Sequence, residues 1–444
     1  MSPSAPGSAG APQARPSGPA ILLQNARIFD SRSGTLSAPA HVLVRGNTVE
    51  RVSTAPIPVE RGTQTTVLDC GGHVLLPGLI DAHWHAMFAT VPMAVAMTAD
   101  IGYMNLVAGW NAERTLLRGF TSVRDVGGPV FGLKRAIDEG VVAGPRIYPS
   151  GAFISQTGGH GDFRMMSELP RDASGHLSYT EQLGAAAIAD TPDEVRLRAR
   201  EQLMRGASQL KLMAGGGVSS HHDPLDVTQY TEPELRAAVE AAENWGTYVT
   251  VHAYTPKAIQ QAIAAGVKCI DHGHLADEPT AKLMKERGIW WSLQPFLDDD
   301  DAIPQTTEAQ RVMQRQVTSG TDNAYQLAKK HGVRLAWGTD VLFDPKLAER
   351  HGALLAKMTR WFTPAQVLTM ATADNAALLA LSGPRNPYPG KLGVVEEGAL
   401  ADLLVLGGDP LKDLKLFEDP ERNLLVIMKD GKLFKNRLSS AQER

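Results

Sequence analysis

LIDAHWH, residues 79–85, opens apolar and closes on two histidines set two positions apart. A parallel strand covered on both faces is apolar throughout, so metal-ligand side chains at its C-terminal end are the feature to follow outward. On a strand, His83 and His85 share one face and can reach a common ion. Seven further runs have a similar grain: FTSVRDV (120–126), RIYPSGAFI (146–154), SQLKLMA (208–214), YVTVHAY (248–254), CIDHGHL (269–275), WWSLQPF (290–296) and RLAWGTD (334–340). Between them lie stretches such as PDEVRLRAREQLMRG (192–206) and EPELRAAVEAAENWG (232–246). Their acidic first turns, helical apolar spacing and closing glycines mark helices. Eight strands alternating with helices predict an α/β fold, a (β/α)₈ TIM-like barrel over residues 77–382, with a doubly wound sheet as the alternative.

The polar residues fall where such a barrel would use them. After His83 and His85, the fourth strand carries Lys211, the fifth His252, the sixth His272 and His274, and the eighth ends in Asp340. Barrel active sites lie at the C-terminal face of the strands, so these side chains converge there. Each alone is ordinary: a histidine in an apolar strand is more often packed than ligating, and Asp340 suits a helix cap. Four imidazoles and an acid on strand ends of one barrel instead predict a metal centre. Lys211, between apolar neighbours, either pairs with an acidic residue or loses its proton through desolvation. A neutral amine takes up carbon dioxide, and the carbamate is an anionic ligand able to bridge two ions; beside four histidines this is the preferred reading. The Gly215-Gly216-Gly217 run lacks a phosphate-loop ending and reads as a strand-to-loop turn.

Outside the barrel, residues 21–76 and 383–436 are short β-rich stretches that predict one small β-sandwich domain assembled from both ends. Residues 1–20, built from Pro, Gly, Ser and Ala, read as a disordered arm, and 437–444 as a polar tail. The 444 residues carry 44 Lys+Arg against 48 Asp+Glu, a net charge of −4. That balance offers no basic stripe for nucleic acid, and no segment reaches the roughly 20 apolar residues of a membrane span. Two cysteines, Cys70 and Cys269, are too few for a disulfide framework. With no apolar leader in the sequence, the cytoplasm is the expected compartment.

PGLIDAHWH, the Lys211 strand, VHAY, DHGH and GTD, followed by TPAQVLTMATADNAALLAL and GKLGVVEEGALADLLVL, resemble the amidohydrolase superfamily in its binuclear form. SQTGGHGDF, LMAGGGVSS and QYTEPEL are similar to its branch of imidazolonepropionase-like peptidases and Xaa-Pro dipeptidases, and to the ochratoxin A-hydrolysing amidohydrolases within it. The resemblance implies that His83, His85 and Asp340 hold one divalent ion, that His252 and His272 hold a second, and that Lys211 bridges both as its carbamate. It also implies a homo-oligomer acting on small amides or dipeptides, and a contact between Tyr230 and the substrate.

These residues predict metal-assisted amide hydrolysis, with zinc the expected ion. Two ions share a water that becomes hydroxide near neutral pH, and Asp340 takes its proton and passes it to the departing nitrogen. His160, in the Gly-rich loop after the third strand, is a candidate donor to the developing oxyanion, against the alternative of a solvated loop histidine. His274 is expected on the face of His272, as a substrate contact or an orienting group. His222, with His221, lies in a polar loop and is either solvated or in contact with substrate. Arg124 is a candidate anchor for a substrate carboxylate, unless it pairs with Asp125. MFATVPMAVAM and GYMNLVAGW read as core or as an acyl pocket. His41, His73, His176, His331 and His351 are assigned no role. The competing readings are a cyclic-amide hydrolase using the same metals and a non-catalytic scaffold. A dinucleotide oxidoreductase is disfavoured because no strand precedes the required glycine pattern.

Overall fold

A computed structural model describes residues 19–58, 64–170, 175–220, 223–305 and 307–438. The expected arm lies outside the described residues up to residue 18, and its last position, Ala20, already opens a strand. Most of the expected tail, residues 439–444, lies outside them as well.

The N-terminal strands are β1 (Ala20–Asp30), β2 (Thr35–Arg45), β3 (Thr48–Ser53), β4 (Thr65–Asp69) and β5 (Val74–Pro77). The barrel region supplies β6 (Leu79–Trp84), β7 (Phe120–Asp125), β8 (Arg146–Pro149), β9 (Phe153–Ser155), β10 (Ala186–Ile188), β11 (Leu210–Met213), β12 (Val249–Ala253), β13 (Cys269–His272), β14 (Trp290–Leu293) and β15 (Arg334–Trp337). The chain closes with β16 (Leu403–Leu406), β17 (Leu424–Lys429) and β18 (Lys432–Asn436). Both ends of the chain share one sheet, ordered β18-β17-β16-β5-β1-β2-β3, with β4 parallel to β1. Val42 of β2 and Val426 of β17 are far apart in that order, yet both belong to one buried cluster with Leu23, Leu75, Leu403 and Met428. The sheet curls: at its β3 end Val49 N donates to Ala399 O at 2.8 Å, and Asn47 O accepts from Ala401 N at 2.8 Å, which brings that end against the segment leading into β16. Each fully buried side chain of that cluster contributes about 1.5–3 kcal/mol.

The middle strands run parallel in two sheets, β6-β7-β8 and β10-β9-β11-β12-β13-β14-β15. The third expected strand is two: β8 pairs with β7, and β9, after Ser150-Gly151-Ala152, pairs with β11. β10 was not expected; it adds to the outer edge of β9. Strand ladders do not join β15 to β6. Asn375 spans that gap, donating from Nδ2 to Ile80 O at 2.7 Å and Trp337 O at 2.8 Å, while its Oδ1 accepts from Trp337 N at 3.0 Å. A π-helical turn at Met370–Asp374, between helices Pro364–Thr369 and Asn375–Leu379, immediately precedes it. Such turns re-aim the side chains that follow.

The expected helices form where their caps allow. Thr191 caps Pro192–Met204 by accepting from Glu194 N, and Glu234 reaches back to Thr231 N at 2.6 Å to start Glu232–Asn244. Gly206 and Gly246 follow these helices with positive φ. No helix among the described residues is long and apolar enough to cross a membrane. Where the curled sheet meets the N-terminal ends of the barrel strands, Arg146 donates to both oxygens of Asp402 at 3.0 and 3.2 Å and to Asp430 at 2.7 Å. Lys429 donates to Gly144 O beside it at 2.7 Å.

Candidate active site

At the opposite ends of the strands, His83, His85, Lys211, His252, His272 and Asp340 line one cavity of about 1160 Å³, mouth included. Asp340 is the hub. Its Oδ1 lies 3.1 Å from His83 Nε2 and 3.0 Å from His85 Nε2, and its Oδ2 lies 3.8 Å from His272 Nδ1. His83, His272 and Asp340 each offer a ligand atom within 4.8 Å of the others. The His252 ring stands 4.5 Å from that of His272.

Two backbone departures aim these groups. His272 and Asp340 adopt φ of 76° and 52°, a conformation non-glycine residues rarely take and one that gathers at functional sites. The Trp291 indole holds the first by donating to His272 O at 2.7 Å. The second is fixed by Asp340 N donating to His83 O at 2.8 Å and by Thr339 Oγ1 donating to Asp81 at 2.6 Å. Asp81 also meets His351 Nε2 at 2.8 Å, and that imidazole stacks on Phe120 with ring centroids 3.5 Å apart. At Gly338 an added Cβ would lie 2.5 Å from the His83 backbone, so only glycine allows β15 to approach β6 this closely.

The electrostatics suit a cation. Burial pushes His252 and His272 well below the ordinary histidine range, and neighbouring positive groups push His252 further. Both rings are therefore neutral, as ligation requires. Burial alone would raise the Asp340 carboxyl, but the His83 charge and hydrogen bonds from His83 and His85 hold it well below the usual carboxylate range. Two neutral imidazoles, His252 and His272, beside an ionised, partly buried carboxylate suit a divalent transition metal.

Lys211 is 1% exposed, and its Nζ donates to Asp271 Oδ2 at 2.5 Å, the pairing with an acidic residue that stood as the alternative to the carbamate. Asp271 also accepts from Arg124 Nη2 at 2.6 Å and from Thr250 Oγ1 at 2.8 Å. Burial favours its protonation, yet Lys211 and Arg124 together hold its carboxyl well below the ordinary range.

The other expected site residues are placed differently. His160 lines the cavity, its Nδ1 3.0 Å from Asp223 Oδ2 and its ring stacked on His252 with centroids 4.1 Å apart. It is not a solvated loop residue. Gly217 makes room for it, since a Cβ there would fall 2.0 Å from the imidazole. Arg124 is buried among the parallel strands and pairs with Asp271 rather than Asp125, away from the cavity wall. His274 lies behind Phe296, with Nε2 on Gln294 O at 3.0 Å, and does not line the cavity. β13 ends at His272, so the strand alternation that would have aimed His274 inward no longer applies. Tyr230 is also off the cavity wall, its hydroxyl buried without a partner among the described residues. His222 lies outside the described residues.

The apolar wall comes largely from residues between and beyond the strands. Phe296, Ile303, Val317, Leu342, Phe343 and Leu354 line the cavity, whereas Met87, Phe88 and Met104 are core. The lysines of the lining, Lys211 and Lys357, are both paired: Lys357 lies 2.8 Å from Asp299 and 2.7 Å from Asp301. Among the described residues, the cavity therefore presents no unpaired lysine or arginine.

Residues 74–434 match the model of the amidohydrolase family. The chain belongs to the amidohydrolase family. It is 34% identical over 382 residues to an ochratoxinase of Aspergillus niger, a match covering 82% of this chain and 76% of that enzyme. The crystal structure of A. niger ochratoxinase superposes with a TM-score of 0.82 at 29% identity, over 95% of this chain and 96% of that one. A prolidase crystallised with N-methylphosphonate-L-proline superposes with a TM-score of 0.85 at 33% identity, over 94% and 100% of the two chains. These relatives match the peptidase branch expected from the motifs. They support amide hydrolysis of small molecules, and the parallel sheets are those of the family's barrel-type structures.

Proposed function

We propose that this amidohydrolase is a binuclear, divalent metal-dependent enzyme that cleaves the amide bond of N-acyl amino acids or dipeptides. Amides joining an aromatic acyl group to phenylalanine, as in ochratoxin A, are among the substrates we assign to it. The observation that carries this reading is the convergence of His83, His272 and Asp340 in a cavity whose remaining wall is largely apolar and aromatic.

His83, His85 and Asp340 would hold one ion, His252 and His272 a second, with Lys211 between them as its carbamate; zinc suits this donor set. When bound, the ions supply Lewis acidity and a water acidified to near neutral pH. Asp340, ionised at rest, accepts the proton of the attacking water and delivers it to the departing nitrogen, without which an amine is a poor leaving group. Asp223 fixes His160 Nδ1 at 3.0 Å, and we assign the opposite nitrogen to hydrogen bonding with the carbonyl oxygen as charge develops there. Phe296, Leu342 and Phe343 would receive the apolar acyl group.

We assign the chain a TIM-like barrel over residues 77–382 and a β-sandwich domain from 21–76 and 383–436, the curled sheet supporting the second. A homo-oligomer is supported by Tyr103, Leu106 and Trp110, which stand exposed along one side of helix Ile101–Leu117.

The test is hydrolysis by metal-stripped and zinc-reconstituted enzyme of an N-acyl-L-phenylalanine, its amide lacking the free carboxylate, and a cyclic imide. Zinc-dependent release of phenylalanine from the free acid is expected. Turnover of the cyclic substrate alone would move the function to ring opening, and stoichiometric zinc without hydrolysis of any substrate would leave a binding scaffold.

A further inference from the structure

Gln294, the residue after β14, is fully buried behind two of the imidazoles and does not line the cavity. Its Oε1 lies 2.8 Å from His272 Nδ1, and its Nε2 lies 3.2 Å from His83 Nδ1. An amide can be turned end for end, so the assignment of donor and acceptor needs an independent witness. Ser292 provides it: the same Nε2 donates to Ser292 O at 2.9 Å. A backbone carbonyl only accepts, and turning the amide would set two oxygens against each other.

With the amide fixed, the proton positions follow. Oε1 must receive a proton from His272 Nδ1, which leaves the lone pair of that neutral ring on Nε2. Nε2–H must be received by His83 Nδ1, so a neutral His83 carries its proton on Nε2, where Asp340 Oδ1 accepts it at 3.1 Å. One side chain thus imposes opposite tautomers on two rings whose centroids are 4.9 Å apart. For His83 to ligate through Nε2, its proton must move to Nδ1, where Asp271 Oδ1 waits at 3.6 Å.

We propose that Gln294 is a positioning residue that readies His272 as a metal ligand and holds His83 back, so that the ion on His252 and His272 loads before the ion on His83, His85 and Asp340. The proposal rests on the binuclear reading above. It assigns a task to a residue that touches neither substrate nor the reacting atoms.

The experiment is zinc titration of the metal-stripped full chain against a competing chelator, with imidazole ¹⁵N spectra of the metal-free protein, for the native chain, Gln294→Leu and Gln294→Glu. The native chain should bind zinc in two separated steps and show His272 protonated at Nδ1 and His83 at Nε2. Gln294→Leu keeps the approximate volume and should lose 10- to 100-fold in affinity for the first zinc, the usual cost of removing a group that orients a ligand. Gln294→Glu offers acceptors to both rings, should shift the His83 proton to Nδ1 and should draw the two steps together, while losing the hydrogen bond to Ser292 O, a cost that thermal melts read separately from the zinc steps. A role in packing alone predicts three chains with the same tautomers and the same zinc steps, and that result overturns the proposal, as does a Gln294→Leu variant that melts with the native chain and binds zinc unchanged. A native chain that binds no zinc removes the binuclear reading itself, which is a different failure.

Discussion

Two groups of charge lie at opposite ends of the parallel strands. At the N-terminal ends, Arg146 forks onto Asp402 and reaches Asp430, Lys429 finds a carbonyl, and Tyr388 lies against the guanidinium with its ring centroid 5.2 Å away. At the C-terminal ends, Asp340 is met by imidazoles beside a cavity, and His272 and Asp340 occupy conformations that cost energy. The first group has opposite charges in near-ideal pairing and joins two layers of the molecule. The second sets one partly buried carboxylate among three imidazoles at a cavity wall. The first is closed by ion pairs between two layers, whereas the second opens on the cavity.

That contrast is broken most severely by substitutions that should each strike one function only. Asp340→Asn keeps a side chain that tolerates positive φ and removes the proton acceptor, so hydrolysis should fall by about 10²- to 10⁴-fold while the melting temperature stays near native. Stopped assays beside thermal melts decide it, and turnover within a few-fold of native would remove Asp340 from the proton path. Arg146→Met should do the reverse. It leaves Asp402 buried without its partner, at a cost of about 3–5 kcal/mol in urea unfolding, with kcat/KM of the surviving folded enzyme unchanged.

Two smaller effects sharpen the same division. Phe296→Ala should lower kcat/KM for aromatic acyl substrates by about 10- to 100-fold, the worth of one large apolar contact, and spare substrates with a small acyl group. Lys429→Met addresses the joint. Burial, and next the Arg146 charge, bring the Lys429 ammonium from an ordinary 10.5 down to about 8. Between these values the folded chain holds fewer protons than the unfolded one, so this group makes stability rise with pH from about 8 to 10.5. The methionine variant should lose that rise, seen as a flatter dependence of the unfolding midpoint on pH across the window.

What could be read from the sequence follows from where strands end. His83, His85, Lys211, His252, His272 and Asp340 interrupt apolar runs, and the C-terminal ends of the parallel strands carry all six to one cavity. Gln294 closes WWSLQPF in the same manner and offered the same signal, as did Asp271 within CIDHGHL. Both were passed over because an amide and an interior acid are not obvious catalytic types. His274 was misplaced because alternation was carried past the point where the strand stops. Arg124 was misjudged because its partner, Asp271, lies 147 residues away in the chain. The apolar wall was illegible for a related reason: Phe296, Val317 and Leu342 come from separate loops and helices that only the closed fold brings together.

The sheet shared by both chain ends also bears on how the molecule is made. β5 leaves the ribosome early, but its antiparallel partner β16 follows only after roughly 330 further residues. At about 5–20 residues per second that is an interval of roughly 15–65 s. During it, one edge of the N-terminal strands has no neighbour and both parallel sheets are synthesised. Those sheets must therefore organise beside an unfinished one, and the last strands to appear are those that complete it.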